Sequence, residues 1–151
     1  MIDKNIDTLF TKWLEKNKED LIGKWIELAK IPSVTSEKKE KAPFGAECAR
    51  ALNYAASLFA SEGIESKVYD EGGYALAHLG DGEKTIGLFS HSDVVPVGDG
   101  WLYTEPFNPV IKDGSLIGRG AEDNKSGIIA SLCIMKFLKD NEIKLGSRLE
   151  A

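Results

Sequence analysis

The chain has 151 residues, 42% of them hydrophobic and 28% charged, with a formal net charge of −5. This is enough apolar material for the core of one domain, and no apolar run approaches the roughly 20 residues of a membrane span. Its 19 basic residues are dispersed among 24 acidic ones, which excludes the clustered Lys and Arg surface that nucleic-acid binding needs.

Residues 1–7 have neither a basic start nor an apolar stretch, so no secretory signal is read and the cytoplasm is the default location. Leu9, Trp13, Leu14, Leu21, Trp25 and Leu28 recur at helical spacing over residues 6–30, with Asn17 and Gly23 as candidate breaks. Ile31-Pro32 ends this helix, because the residue before proline is pushed out of the α region. Residues 37–41 mix both signs of charge and read as a solvated loop. A second helix is expected over 44–62, with Ala49, Leu52, Ala56 and Phe59 on one face and Gly63 as its stop. Residues 65–69 and 74–79 read as strands across a Gly72-Gly73 turn, and Gly80-Asp81-Gly82 turns the chain into a third strand at 85–89. His78 falls at an ordinary strand position within that meander. Cys48 and Cys133 lie far apart without Cys-x-x-Cys spacing and read as reduced thiols that carry no chemistry.

After Pro96 the chain has the composition of an ordered loop, in which Trp101 and Phe107 serve either to pin the loop to its own domain or as a ligand platform. Residues 110–112 and 115–117 flank Asp113-Gly114, a strong hairpin signal. Residues 124–139 form the third helical pattern, and 145–149 begin another strand. There are no internal repeats. The order of elements predicts an α/β domain in three layers, with a mixed sheet flanked by helices.

Chemistry concentrates between positions 87 and 127. His91 and Asp93 follow an apolar strand, at the carboxyl end where open α/β sheets place ligands. In extended backbone, residues i and i+2 share a face, so the imidazole and the carboxylate converge. A metal-bound histidine usually donates its other ring N–H to a carboxylate or carbonyl, which makes His91 a candidate metal ligand and Asp93 its orienting partner. A strand-end His–Asp hydrogen bond without metal has the same spacing. Asp123 stands at a helix entrance between glycines. Alone it reads as an N-cap; together with His91 and Asp93, a carboxylate bridging two divalent cations accounts for it better.

These residues carry a resemblance. His91-Ser92-Asp93-Val94-Val95-Pro96, Gly98-Asp99-Gly100-Trp101, Pro106-Phe107, Lys112-Asp113-Gly114, and Gly118-Arg119-Gly120 with Asp123 and Lys125 resemble the dizinc aminoacylase and carboxypeptidase-like metallopeptidase family, most closely its dipeptidase branch. The likeness extends back through Ile31-Pro32-Ser33-Val34 and Ala42-Pro43-Phe44-Gly45. It implies His91 on one metal, Asp93 as the catalytic-side orienter of His91, Asp123 bridging both metals, and a cis peptide at Asp123-Asn124. The cofactors implied are two divalent ions, zinc first, with manganese or cobalt as alternatives. One departure stands out: where the dipeptidase branch usually reads Lys-Gly-Pro, this chain has Lys125-Ser126-Gly127.

Two bridged metals need more donors than His91 and Asp123 provide. The resemblance implies that the rest, including a Glu-Glu pair that supplies the general base, belong to a chain about three times as long. Residues 1–151 are therefore expected to be the N-terminal part of a single metallopeptidase catalytic domain without its lid. The complete protein would hydrolyse dipeptides or short peptides in the cytoplasm, with small peptides as partners, no nucleic acid or membrane, and a C-terminal half or complementing chain to close the site. Two other readings are an N-acyl amino acid deacylase or desuccinylase of the same family, and a non-catalytic α/β binding or assembly module.

Overall fold

The computed structural model describes residues 4–71 and 73–151, so the reading of residues 1–3 and the Gly72 half of the expected turn lie outside the described residues. Nine elements follow in order: α1 (Lys4–Ala29), α2 (Ala46–Ser61), β1 (Glu65–Tyr69), β2 (Tyr74–Leu79), β3 (Lys84–Gly87), β4 (Val110–Lys112), β5 (Ser115–Ile117), α3 (Lys125–Asp140) and β6 (Ser147–Glu150). The main sheet has the order β1-β2-β6-β3. Its first two pairings are antiparallel and the last is parallel, so the sheet is mixed. Helices and mixed sheet give the α/β class that the pattern predicts. The Asp113-Gly114 hairpin forms as β4 and β5. Among the described residues, no helix is long and apolar enough to cross a membrane.

α2 packs on β1 and β2, and α1 packs on α3 and α2. The core joins Leu21 and Leu28 of α1 to Ala51, Ala55, Leu58 and Phe59 of α2, Leu132 and Met135 of α3, and Leu149 of β6. Of the stripe read on α1, Trp13, Leu21 and Leu28 are buried, Leu14 and Trp25 are half-buried, and Leu9 is exposed. α1 is unbroken, contrary to the candidate breaks. The Asn17 amide turns back to donate to the Trp13 carbonyl of its own helix, and an added Cβ on Gly23 would meet nothing within 4 Å, so neither residue forces an interruption.

A charged cluster ties the three helices together. Glu62, just past α2, accepts from Lys24 of α1 at 2.9 Å and from Lys136 of α3 at 2.7 Å. Lys136 also reaches Asp140 at 3.0 Å, and Asp140 accepts from the Trp13 indole. Burial alone would raise the Glu62 and Asp140 pKa values, but the hydrogen bonds they accept outweigh it and hold both below their ordinary values. A depressed carboxylate stabilises the fold above its unfolded pKa, and that contribution is lost as pH falls through the folded value. Acid unfolding monitored by circular dichroism should therefore be steep below about pH 4.5. Glu62→Gln should make that limb shallower and cost about 2 kcal/mol at neutral pH.

Candidate metal centre

The site is built from two loops held against the end of α1. The first leaves β3 and carries His91 and Asp93; the second runs from β5 into α3 and carries Asp123. Three groups near the end of α1 hold them. The Trp25 indole donates to the Ala121 carbonyl at 2.9 Å. The Ser33 hydroxyl donates to the Ser92 carbonyl at 2.6 Å, and the Ser33 carbonyl accepts from the Val94 N–H at 2.9 Å. The Lys125 ammonium, fully buried, donates to the Ile31 carbonyl at 2.7 Å. One short strap, residues 31–34, thus touches both loops.

The loops also press on each other. Gly120 adopts φ +76, and a Cβ there would stand 2.5 Å from Val94 Cγ1. Gly127, in the Lys-Ser-Gly departure, has no room for a side chain either: a Cβ would lie 2.2 Å from Asn124 Oδ1 and 3.0 Å from Ser90 Cβ. The glycine that this chain places one position later therefore lets the first turn of α3 approach the His91 loop.

The structure brings His91, Asp93 and Asp123 together. His91 Nε2 is 3.1 Å from Asp123 Oδ1. On the opposite edge of the ring, Nδ1 is 3.1 Å from the Asp93 carbonyl and 3.3 Å from its carboxylate. Asp123 is not the helix cap: that position belongs to Asn124, which makes no side-chain cap bond. The Asp123-Asn124 peptide is cis, as the resemblance implies. The three side chains are 48, 54 and 82% exposed, respectively, so the site opens to solvent.

Two ligands on a tetrahedral ion at bonds of about 2.0–2.1 Å stand roughly 3.3 Å apart. The 3.1 Å between His91 Nε2 and Asp123 Oδ1 is close to that edge, and imidazole with carboxylate is a donor set that suits zinc. A divalent ion therefore fits between them as two of its four contacts. Among the described residues, no set of three His, Cys, Asp or Glu side chains converges to hold an ion, because Asp93 lies on the ring nitrogen opposite Asp123.

The other singled-out residues stand apart from this cluster. His78 is in β2, opposite Glu65 and Glu150. Cys48 and Cys133 are free thiols, and burial pushes both up in pKa. Trp101 pins its loop: its indole donates to the Val97 carbonyl at 3.0 Å, and the Arg119 guanidinium lies over its ring while donating to the same carbonyl. Sequence reasoning placed Trp25 on a packing stripe and Ser33 in a family-like segment, but gave neither a part in the site. The Ile31-Pro32-Ser33-Val34 match was the available signal for the strap.

Comparison with known proteins bears on the family. Residues 87–150 match the model of peptidase family M20/M25/M40. An uncharacterized metallohydrolase of Methanocaldococcus jannaschii is 49% identical over 63 residues, 41% of this chain and 15% of that protein. A dipeptidase-named protein of Bacillus subtilis is 37% identical over 109 residues, 71% of this chain and 23% of that protein. The crystal structure of human carnosine dipeptidase 1 shares the fold with a TM-score of 0.78 at 23% identity, over 98% of this chain and 34% of that one. The chain thus spans a quarter or less of these curated relatives. The family is one of metallopeptidases, which implies use of divalent metal. Over the length that it spans, the chain belongs to peptidase family M20/M25/M40.

Proposed function

We propose that residues 1–151 form the N-terminal part of a single metallopeptidase catalytic domain, and that the complete domain hydrolyses dipeptides or short peptides in the cytoplasm. In this reading the chain contributes His91 and Asp123 to a centre of two zinc ions, and Asp93 positions His91. The observation that carries it is the 3.1 Å approach of His91 Nε2 to Asp123 Oδ1 with the ring held from behind by Asp93. The dipeptidase-named relatives support dipeptides over N-acyl amino acids as substrates.

Each residue's part follows from its contacts. An imidazole can offer a lone pair at Nε2 only when Nδ1 carries the proton. Two Asp93 oxygens lie within 3.3 Å to accept that N–H, so Asp93 fixes the tautomer and the ring plane. Asp123 directs one oxygen at His91 while its carboxylate stays largely exposed, which leaves the second oxygen available for a neighbouring cation. Bound divalent ions supply polarisation of the scissile carbonyl and a lowered water pKa. The glutamate base is assigned to the remainder of the domain.

Calorimetric titration of the chain with zinc chloride tests the ligand assignment. Weak binding is expected, and His91→Ala and Asp123→Ala should each reduce the affinity by at least about tenfold. Asp93→Asn should weaken it by about 10- to 100-fold, the range for partners that orient a ligand. Identical zinc affinity in wild type, His91→Ala and Asp123→Ala would sink the assignment.

A further inference from the structure

A buried serine stands behind the His91 loop. Ser33 is fully buried, and groups from α2 and α3 fix the strap on which it lies. The Ile31 carbonyl accepts from the Ser33 N–H at 2.9 Å and from the Lys125 ammonium at 2.7 Å, which uses both of its lone pairs. The Cys48 thiol of α2 donates to the Ser33 carbonyl at 3.3 Å. A hydroxyl has one proton to give. The Ile31 carbonyl, 3.5 Å away, is already taken, so Ser33 gives that proton to the Ser92 carbonyl at 2.6 Å.

The strap meets the His91 loop in a single parallel bridge, Val34 opposite Val94. Ser33 thereby grips the two peptide groups that flank Asp93. Its hydroxyl pins the peptide before Asp93 through the Ser92 C=O, and its carbonyl pins the peptide after Asp93 through the Val94 N–H at 2.9 Å. A peptide group is planar, and in the trans form its C=O and N–H point opposite ways. Among the described residues the cis bond is Asp123-Asn124, so the 93–94 peptide is trans. With the Val94 N–H turned toward Ser33, the Asp93 C=O is turned away from it, and there it meets His91 Nδ1 at 3.1 Å. Fixing both planes leaves Asp93 no free backbone dihedral, and its carboxylate, 3.3 Å from the same nitrogen, is rooted by the same two bonds.

The ring has a choice that this arrangement decides. Asp93 offers Nδ1 two oxygens, whereas Asp123 offers Nε2 one at 3.1 Å, so a neutral imidazole has an acceptor for its proton on either side. Only the Nδ1–H form leaves the Nε2 lone pair free for an ion. Hydrogen bonds joined in a chain polarise one another, and the chain here runs from the Ser33 carbonyl through the 93–94 peptide to Nδ1. We propose that Ser33 is a positioning residue for the metal centre: acting through the two peptide groups around Asp93, it holds His91 in the Nδ1–H tautomer. The inference rests on the reading of His91 as a metal ligand for what the tautomer serves, but the tautomer itself is a property of the metal-free chain.

The test reads the ring-nitrogen chemical shifts of isotope-labelled, metal-free chain by NMR, at a pH where they are those of a neutral imidazole. His78→Gln identifies the signals of the only other histidine. Wild type is expected to be mainly Nδ1–H. Ser33→Ala, which removes the hydroxyl, should raise the ratio of Nε2–H to Nδ1–H at least about threefold and weaken zinc binding in calorimetric titration by about three- to tenfold. Ser33→Thr keeps the hydroxyl and should keep the wild-type ratio. A role confined to packing would lower stability in urea without moving the tautomer of the folded molecules. An unchanged ratio in Ser33→Ala, or equal shifts in Ser33→Ala and Ser33→Thr, would overturn the proposal. So would a wild-type ring that is mainly Nε2–H, a result that needs no variant to fold. Equal zinc affinity in wild type and His91→Ala would instead sink the ligand assignment, and it is measured independently of the tautomer.

Discussion

Purified as 151 residues, the chain is expected to show no peptidase turnover, and supplying the remainder of the domain, in cis or as a complementing fragment, is expected to restore it. Two convergent donors leave half of a tetrahedral coordination shell to water, and a positioned base alone is worth typically about 10²- to 10⁴-fold in rate. The metal and the base together therefore put the isolated chain below detection in a dipeptide hydrolysis assay. In the complemented enzyme, His91→Ala should abolish turnover, because in the proposed assignment it removes one of the two metal donors that these residues supply. Asp93→Asn should retain a fraction, since the Asp93 carbonyl still reaches His91 Nδ1 at 3.1 Å. Turnover by the isolated chain that survives removal of contaminating peptidases and disappears in His91→Ala would place the base within these residues.

Local pattern and distant contact differ in how far they can be read from residues alone. The three helices and the Asp113-Gly114 hairpin were legible because periodicity and turn chemistry act over a few neighbouring positions. The same rules overestimated Asn17 and Gly23 as breaks. A glycine inside a helix costs about 1 kcal/mol relative to alanine, and the burial of Leu21 and Leu28 on the same helix outweighs that cost. The approach of His91 to Asp123 spans 32 residues and was legible only because the intervening motifs resemble a known family. The resemblance marked the strap segment but not its contacts: Lys125 reaches Ile31 across 94 residues and Ser33 reaches Ser92 across 59, and beside the strap Trp25 reaches Ala121 across 96. Nothing local in a tryptophan on a helical stripe, or a lysine in the first turn of a helix, reports such a partner.

Lys125 supplies the second large effect, an alkaline gain in stability of the metal-free chain. Its side chain is fully buried, and its pKa is pushed down to about 8, first by that burial and then by the charge of Arg50, with Cys48 acting weakly the other way. The unfolded lysine stays protonated to about pH 10.4. Between these values the unfolded chain binds more protons than the native one, so stability rises with pH across the window. A shift of this size corresponds to about 3 kcal/mol. Other groups titrate nearby. Burial pushes the Cys48 and Cys133 thiols up, which lowers stability above about pH 9, and burial together with Glu27 raises Tyr54. Lys24 and Lys136, raised by their hydrogen bonds to carboxylates despite burial, keep their contributions until higher pH. The comparison is therefore between wild type and Lys125→Met, in which these other groups are common to both chains. The stability difference measured by urea unfolding should move in favour of wild type by about 3 kcal/mol from pH 8 to 10.5. At neutral pH the variant should lie within about 1–2 kcal/mol of wild type, because loss of a buried charge offsets the bond lost at the Ile31 carbonyl. A pH-independent difference between the two chains would show that the native lysine keeps its proton throughout, and that the strap holds an ammonium at no cost.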